Sequence, residues 1–268
     1  MSATDPASTA SRIRREPPTF RRVTVRAVEA LGPRMTRVTL TGAELEGLSV
    51  DEPAASVRVL LPSPGTRELV MPTWNGNEFL LPDGSRPAIR TFTPYRVDPE
   101  ALELEIWAVI HGDGPASEWA ASAGAGDEAA VSGPGRGYTI DRDAERYLVA
   151  GDETAIPAIH QLLRAMPATT SLQVHIEVAQ PDARLPMPEH PRATISWWDL
   201  PDGAAPGDAI VDAVRRADLD PGASVWAAGE AAAVQRIRRY LFDELGMARS
   251  QTAVRGYWKH GRGGDATE

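Results

Sequence analysis

With 268 residues, 42% of them hydrophobic and 24% charged, the chain has room for one large or two modest globular domains. Its formal net charge of −9 argues against nucleic acid as a partner. The lack of cysteine excludes disulfides, thiolate nucleophiles, cysteine-ligated zinc and cysteine-held iron–sulfur clusters.

Residues 1–17 form a polar lead without the apolar middle of a secretory signal. No apolar run approaches the roughly 18 residues of a membrane helix. The expectation is therefore a cytoplasmic protein, monomeric and without membrane insertion.

Residues 18–142 read as a β domain. Short runs with alternating apolar positions, such as Arg37-Val38-Thr39-Leu40, Ser56-Val57-Arg58-Val59-Leu60 and Leu102-Glu103-Leu104-Glu105-Ile106-Trp107, are separated by Gly, Pro, Asp or Asn. That spacing predicts an antiparallel barrel or sandwich, with one short helix near Pro115 to Ala121. Arg90-Thr91-Phe92-Thr93-Pro94-Tyr95-Arg96-Val97-Asp98 reads as a strand interrupted by Pro94. Proline removes a ladder donor and belongs at an edge or a bulge.

Residues 143–262 change periodicity. Arg146 to Ala150 is a near-continuous apolar strand ending in Gly151. Ile156, Ile159, Leu162, Leu163 and Met166 then recur at helical spacing. Strands over 172–178 and 192–197, a helix over 209–217 and a strand over 223–228 follow. A last helix places Val234, Ile237, Leu241 and Leu245 on one face. Strands alternating with helices predict a doubly wound parallel sheet. Residues 263–268 are a tail. The five histidines show no metal-ligand spacing, so no metal site is expected.

Several junctions suit ligands. Arg90 suits a diphosphate through paired contacts, Phe92 a flat ring and Thr93 a ring-edge hydrogen bond, while an edge strand with a solvated arginine explains the tetrapeptide equally. His111-Gly112-Asp113-Gly114-Pro115-Ala116-Ser117-Glu118-Trp119-Ala120 is a tight turn opening a helix, where backbone N–H groups favour phosphate. The same pattern also describes an ordinary surface turn. Gly151-Asp152-Glu153-Thr154 and Gly229-Glu230 are strand–turn–helix junctions, and ordinary helix starts with acidic dipole partners would explain their acids equally. Arg255, Lys259 and Arg262 make a local cationic run in an acidic chain. Its alternative is a basic C-terminus, although Tyr257-Trp258 is apolar for a free tail.

The order RTFT, HGDGPASEWA, GPGRGY, AGDETAIPAI, WAAGE and GYWKHGRGGDA resembles the siderophore-interacting proteins over about residues 19–266. These are FAD-containing ferric-siderophore reductases of the ferredoxin-NADP reductase superfamily. The chain departs from the family strand Arg-x-Tyr-Thr-x-Arg. Phe92 replaces the tyrosine, and Tyr95 stands where the second arginine is expected, with Arg96 one position later.

The resemblance implies a flavin-binding β-barrel followed by an α/β nicotinamide-binding domain. It implies FAD held by Arg90, Thr91, Phe92, Thr93, Tyr95, His111, Gly114, Pro115, Ala116, Ser117 and Trp119. NADH or NADPH would lie at Gly151, Asp152, Glu153, Thr154, Gly229 and Glu230, with reduced ferredoxin as the alternative donor. Arg255, Trp258, Lys259 and Arg262 would meet the ferric siderophore. No protein acid or base need act on it, because electrons pass through the flavin. Two other functions share these residues: a flavin reductase serving another protein or free flavin, and a non-catalytic siderophore-binding flavoprotein.

Overall fold

The computed structural model describes residues 18–111, 114–220 and 222–261. The N-terminal region contains β1 (Arg21–Ala30), β2 (Met35–Thr41), β3 (Ser56–Leu60), β4 (Thr73–Trp74), β5 (Phe79–Leu80), β6 (Ile89–Phe92), β7 (Pro94–Asp98), β8 (Glu103–Val109), α1 (Pro115–Ser122) and β9 (Glu128–Gly135). Seven of these strands form one antiparallel sheet in the order β6-β3-β9-β1-β2-β8-β7, and β4 pairs with β5 separately. The alternation read from the sequence sets the register. Val38 lies opposite Ile106 and Leu40 opposite Leu104, and all four side chains are buried. Val57, Val59, Val23, Val25 and Val131 complete this core with Trp119 of α1.

The sheet is open and does not close as the expected barrel. Its two edges, β6 and β7, are successive halves of the segment 89–98. The first half pairs with β3 and the second with β8, so the strand changes partner at Thr93. Pro94, with no N–H to donate, begins the second half beside a bulge. The chain itself spans the gap that hydrogen bonds leave.

The C-terminal region contains β10 (Arg146–Gly151), α2 (Ile156–Ala165), β11 (Ser171–Val178), β12 (Ala193–Asp199), α3 (Asp208–Arg216), β13 (Ser224–Glu230), α4 (Ala231–Arg239) and β14 (Thr252–Trp258). The five strands are parallel in the order β12-β11-β10-β13-β14, with the reversal between β10 and β13. Tyr147, Val149, Val174 and Ile176 face α2, while Leu148, Ala150, Val225 and Ala227 face α3 and α4. Buried Ile156, Ile159, Leu162 and Leu163 fix α2, each contributing about 1.5–3 kcal/mol of apolar burial.

Two elements differ from the sequence reading. The last helix stops at Arg239 and widens into a π-type turn over Tyr240–Glu244. The wider turn keeps Leu241 buried but leaves Leu245 43% exposed. The basic C-terminal segment is the edge strand β14, paired along β13.

The two regions share a core. Met35 and Ala54 are buried among α2 and its sheet, with Trp107 and Val109 of β8 packed against them. No helix among the described residues is long and apolar enough to cross a membrane.

Candidate functional site

The strand change at Thr93 is one wall of the site. Arg90 lies opposite Val59 in the ladder, and its Nη1 donates to the Ile89 carbonyl at 2.8 Å. Thr91 is exposed, and Phe92 is half-buried against the N-terminal core. Thr93 is buried and its side chain approaches the Tyr257 phenol of β14, lowering its pKa slightly against the effect of burial. Burial is the main cause that pushes the Tyr257 phenol up to about 12.

The turn into α1 is the second wall. Residues 112 and 113 lie outside the described residues. Gly114 has φ +150 with open space where a Cβ would stand, so the backbone is accessible from that side. Pro115 opens the helix, and no side chain among the described residues caps its N-terminus. Ser117 is spent internally: its Oγ accepts from the His111 backbone N–H at 3.0 Å. Ala116 packs against the N-terminal core, and Trp119 is buried within it. The His111 ring lies 5.4 Å from that of Trp258. Burial, then the nearby Arg34, lowers the His111 pKa.

The carboxyl ends of the parallel strands make the third side, at the topological switch between β10 and β13. Their acids are bound to the protein's own donors. Asp152 Oδ1 accepts from the Thr154 N–H at 2.9 Å and hydroxyl at 2.5 Å. Its Oδ2 accepts from the Glu230 N–H at 2.9 Å and Trp258 Nε1 at 2.8 Å. Glu230 caps α4 by accepting from the Ala232 and Ala233 N–H groups, and its other oxygen accepts from the His260 N–H at 3.1 Å. Gly229, at φ +150, is required here because a Cβ would stand 2.5 Å from Asp152 Oδ2. Gly151 packs directly against the Ala155 methyl.

The two oxygens of Glu153 share the single Nε–H of Arg34 at 3.0 and 2.9 Å, and one of them also accepts from the Ala179 N–H at 2.9 Å. This pair joins the two regions. Glu177 at the end of β11 caps α3, accepting from the Gly207 N–H at 2.6 Å and the Ile210 N–H at 3.0 Å. Burial raises the pKa of both Asp152 and Glu177, against the hydrogen bonds that lower it.

The cationic segment divides. Arg255 donates to the Ala54, Arg136 and Gly137 carbonyls at 3.2, 3.3 and 2.7 Å, fastening β14 to the N-terminal region. Trp258 is half-buried on Asp152, and Lys259 is exposed. Arg262 lies outside the described residues.

Tyr95 is committed to the seam between regions. Its ring stacks on Trp107 at 4.1 Å, its Oη is 3.3 Å from His160 Nδ1, and Arg164 lies over its face. Gln161 reinforces the seam by donating to the Pro94 and Tyr95 carbonyls at 2.7 and 3.1 Å. Arg96, one position on, is exposed and pairs with Asp98 at 3.5 Å.

Thus His111, Asp152, Glu230 and Trp258 meet in one cluster, Thr93 meets Tyr257, and Tyr95 and Arg255 serve the seam. Sequence reasoning did not single out Arg34, His160, Gln161, Glu177 or Tyr257 as site groups. Their partners are distant in the chain, so local pattern carries no signal for them.

Residues 13–138 match the family model described as a siderophore-interacting FAD-binding domain, and residues 144–261 match that of the siderophore-interacting proteins. The chain is 29% identical over 236 residues to the ferric vibriobactin reductase of Vibrio cholerae, spanning 87% of this chain and 86% of that protein. A siderophore utilization protein from T. fusca superposes with a TM-score of 0.81 at 34% identity, covering 92% of this chain and 95% of that one. Phthalate dioxygenase reductase shares the fold alone, with a TM-score of 0.57 at 16% identity over 90% of this chain and 68% of that one.

Proposed function

The chain belongs to the siderophore-interacting protein family, and from that premise we propose that it is a FAD-dependent reductase of ferric siderophores. The observation that carries the reading is the N-terminus of α1. Among the described residues no side chain caps it, and the backbone at Gly114 is open beside it. Exposed N–H groups at a helix start favour a diphosphate. Arg90, on the strand that changes partner at Thr93, supplies the fixed positive charge.

FAD supplies the coupling of a two-electron donor to a one-electron acceptor. The protein's own residues bind and orient. Arg90 and the first turn of α1 hold the diphosphate. Phe92 and the Thr93–Tyr257 pair border the ring. Trp258, fixed by Asp152, closes the cluster opposite His111. Lys259 attracts an anionic ferric complex. A siderophore binds Fe(III) through hard oxygen ligands and Fe(II) far less tightly, so a single electron releases the metal. The electron donor is NADH, NADPH or reduced ferredoxin, and the protein acts as a cytoplasmic monomer.

Purified protein is expected to be yellow, and once reduced it should pass electrons to a ferric siderophore in a stopped-flow trace. A colourless protein that neither binds FAD nor reduces iron contradicts the reading. Anaerobic titration of the flavin with NADH, NADPH and ferredoxin assigns the donor.

A further inference from the structure

Lys259 is the single lysine among 28 basic residues. Arginine forms forked ion pairs with carboxylates, as at Arg215–Glu244. Lysine is a compact point charge on a flexible stem. This one stands on the surface just beyond the last paired residue of β14, where the ladder to β13 ends at Trp258. A residue past the end of a ladder keeps its backbone freedom unless something else holds it.

Both chain neighbours of Lys259 are held. Trp258 Nε1 donates to Asp152 Oδ2 at 2.8 Å, and the His260 N–H donates to Glu230 Oε1 at 3.1 Å. The two carboxylates are buried, at 8% and 4% exposure, and Glu230 N–H itself donates to Asp152. They stand at the ends of adjacent strands, β10 and β13, so the clamp is built on the rigid sheet.

We infer that Asp152 and Glu230 are positioning residues that act through Trp258 and His260 to present the lone amine of Lys259 to the anionic ferric complex. The inference rests on the substrate role proposed for Lys259. The conformational freedom of the segment is lost when the protein folds, not when the complex arrives, which tightens binding without a new contact.

The test mixes reduced holoenzyme with two probes under anaerobic conditions, reading half-saturation and limiting rate separately. One probe is the trianionic iron(III) tris(2,3-dihydroxy-N,N-dimethylbenzamide) complex. The other is the neutral iron(III) tris(acetohydroxamate). Trp258→Phe keeps the ring and removes the N–H donor, while Glu230→Gln weakens the His260 arm. Each should raise half-saturation for the trianion about fivefold relative to the neutral complex, and added salt should shrink the difference. In a Lys259→Ala background neither should add to that ratio.

Equal shifts for both probes, or effects that multiply with Lys259→Ala, would show a general structural role and overturn the clamp. If Lys259→Ala raises the ratio but Trp258→Phe and Glu230→Gln do not, the clamp alone fails. If Lys259→Ala leaves the ratio unchanged, the substrate role of Lys259 fails and takes the clamp with it.

Discussion

Helix N-termini are treated oppositely in the two regions of this molecule. In the C-terminal region, α3 and α4 begin on buried carboxylates, Glu177 and Glu230, and the turn into α2 begins on Asp152. In the N-terminal region α1 begins on Gly114 and Pro115, with no side-chain cap among the described residues. A helix start carries about half a positive charge. Where the protein supplies the anion, the helix is tied into the fold. Where the described residues supply no cap, an external anion is proposed to take that place. The helix starts of the C-terminal region thus serve its own stability, and the diphosphate site proposed above lies in the β region.

Removing a native cap should have the largest effect. Glu177→Ala leaves the Gly207 and Ile210 N–H groups buried without an acceptor and should cost about 3 kcal/mol in urea unfolding. A loss below about 1 kcal/mol would mean that the α3 cap is not structural.

The comparison also depends on a fixed seam between the regions. Burial holds the His160 imidazole down to about 4, against an ordinary value of 6.5. Between those values the unfolded chain binds more protons than the folded one. The His160 contribution is thus fully present above pH 6.5 and is lost as pH falls towards 4, by roughly 3 kcal/mol in all. The stability difference between the wild type and His160→Gln should trace that window, and a difference flat with pH would contradict it.

Giving α1 a carboxylate of its own should make it resemble α3. Pro115→Asp puts a negative charge at the first helical position and should weaken FAD binding about tenfold, with thermal stability nearly unchanged. The smallest effect is at Tyr95. Tyr95→Phe keeps the stack on Trp107 and removes the contact with His160, so calorimetry should show a loss of about 1 kcal/mol or less.

Most elements were legible in the sequence because burial periodicity is local. Val38 and Leu40 alternate on a strand, and Ile156, Ile159, Leu162 and Leu163 share a helix face. The β14 strand was not read as one, because its basic residues drew attention to charge rather than to strand pairing. Arg255 in fact reaches three carbonyls on the N-terminal region. The open sheet was not legible either. The sequence displays Pro94 but not that β6 and β7 choose different partners. The departure at Tyr95 becomes intelligible once His160 and Trp107 are placed beside it, and neither is near it in the chain.

The central claim is that an external diphosphate is held by Arg90 and the bare start of α1. It is tested by comparing the dissociation constants of FAD and riboflavin, which lacks phosphate, in the wild type and Arg90→Ala. The account predicts that wild type prefers FAD by about 100-fold or more and that Arg90→Ala loses most of that preference while riboflavin binding hardly changes. Equal affinity for the two flavins in the wild type, or an undiminished preference in Arg90→Ala, would contradict it.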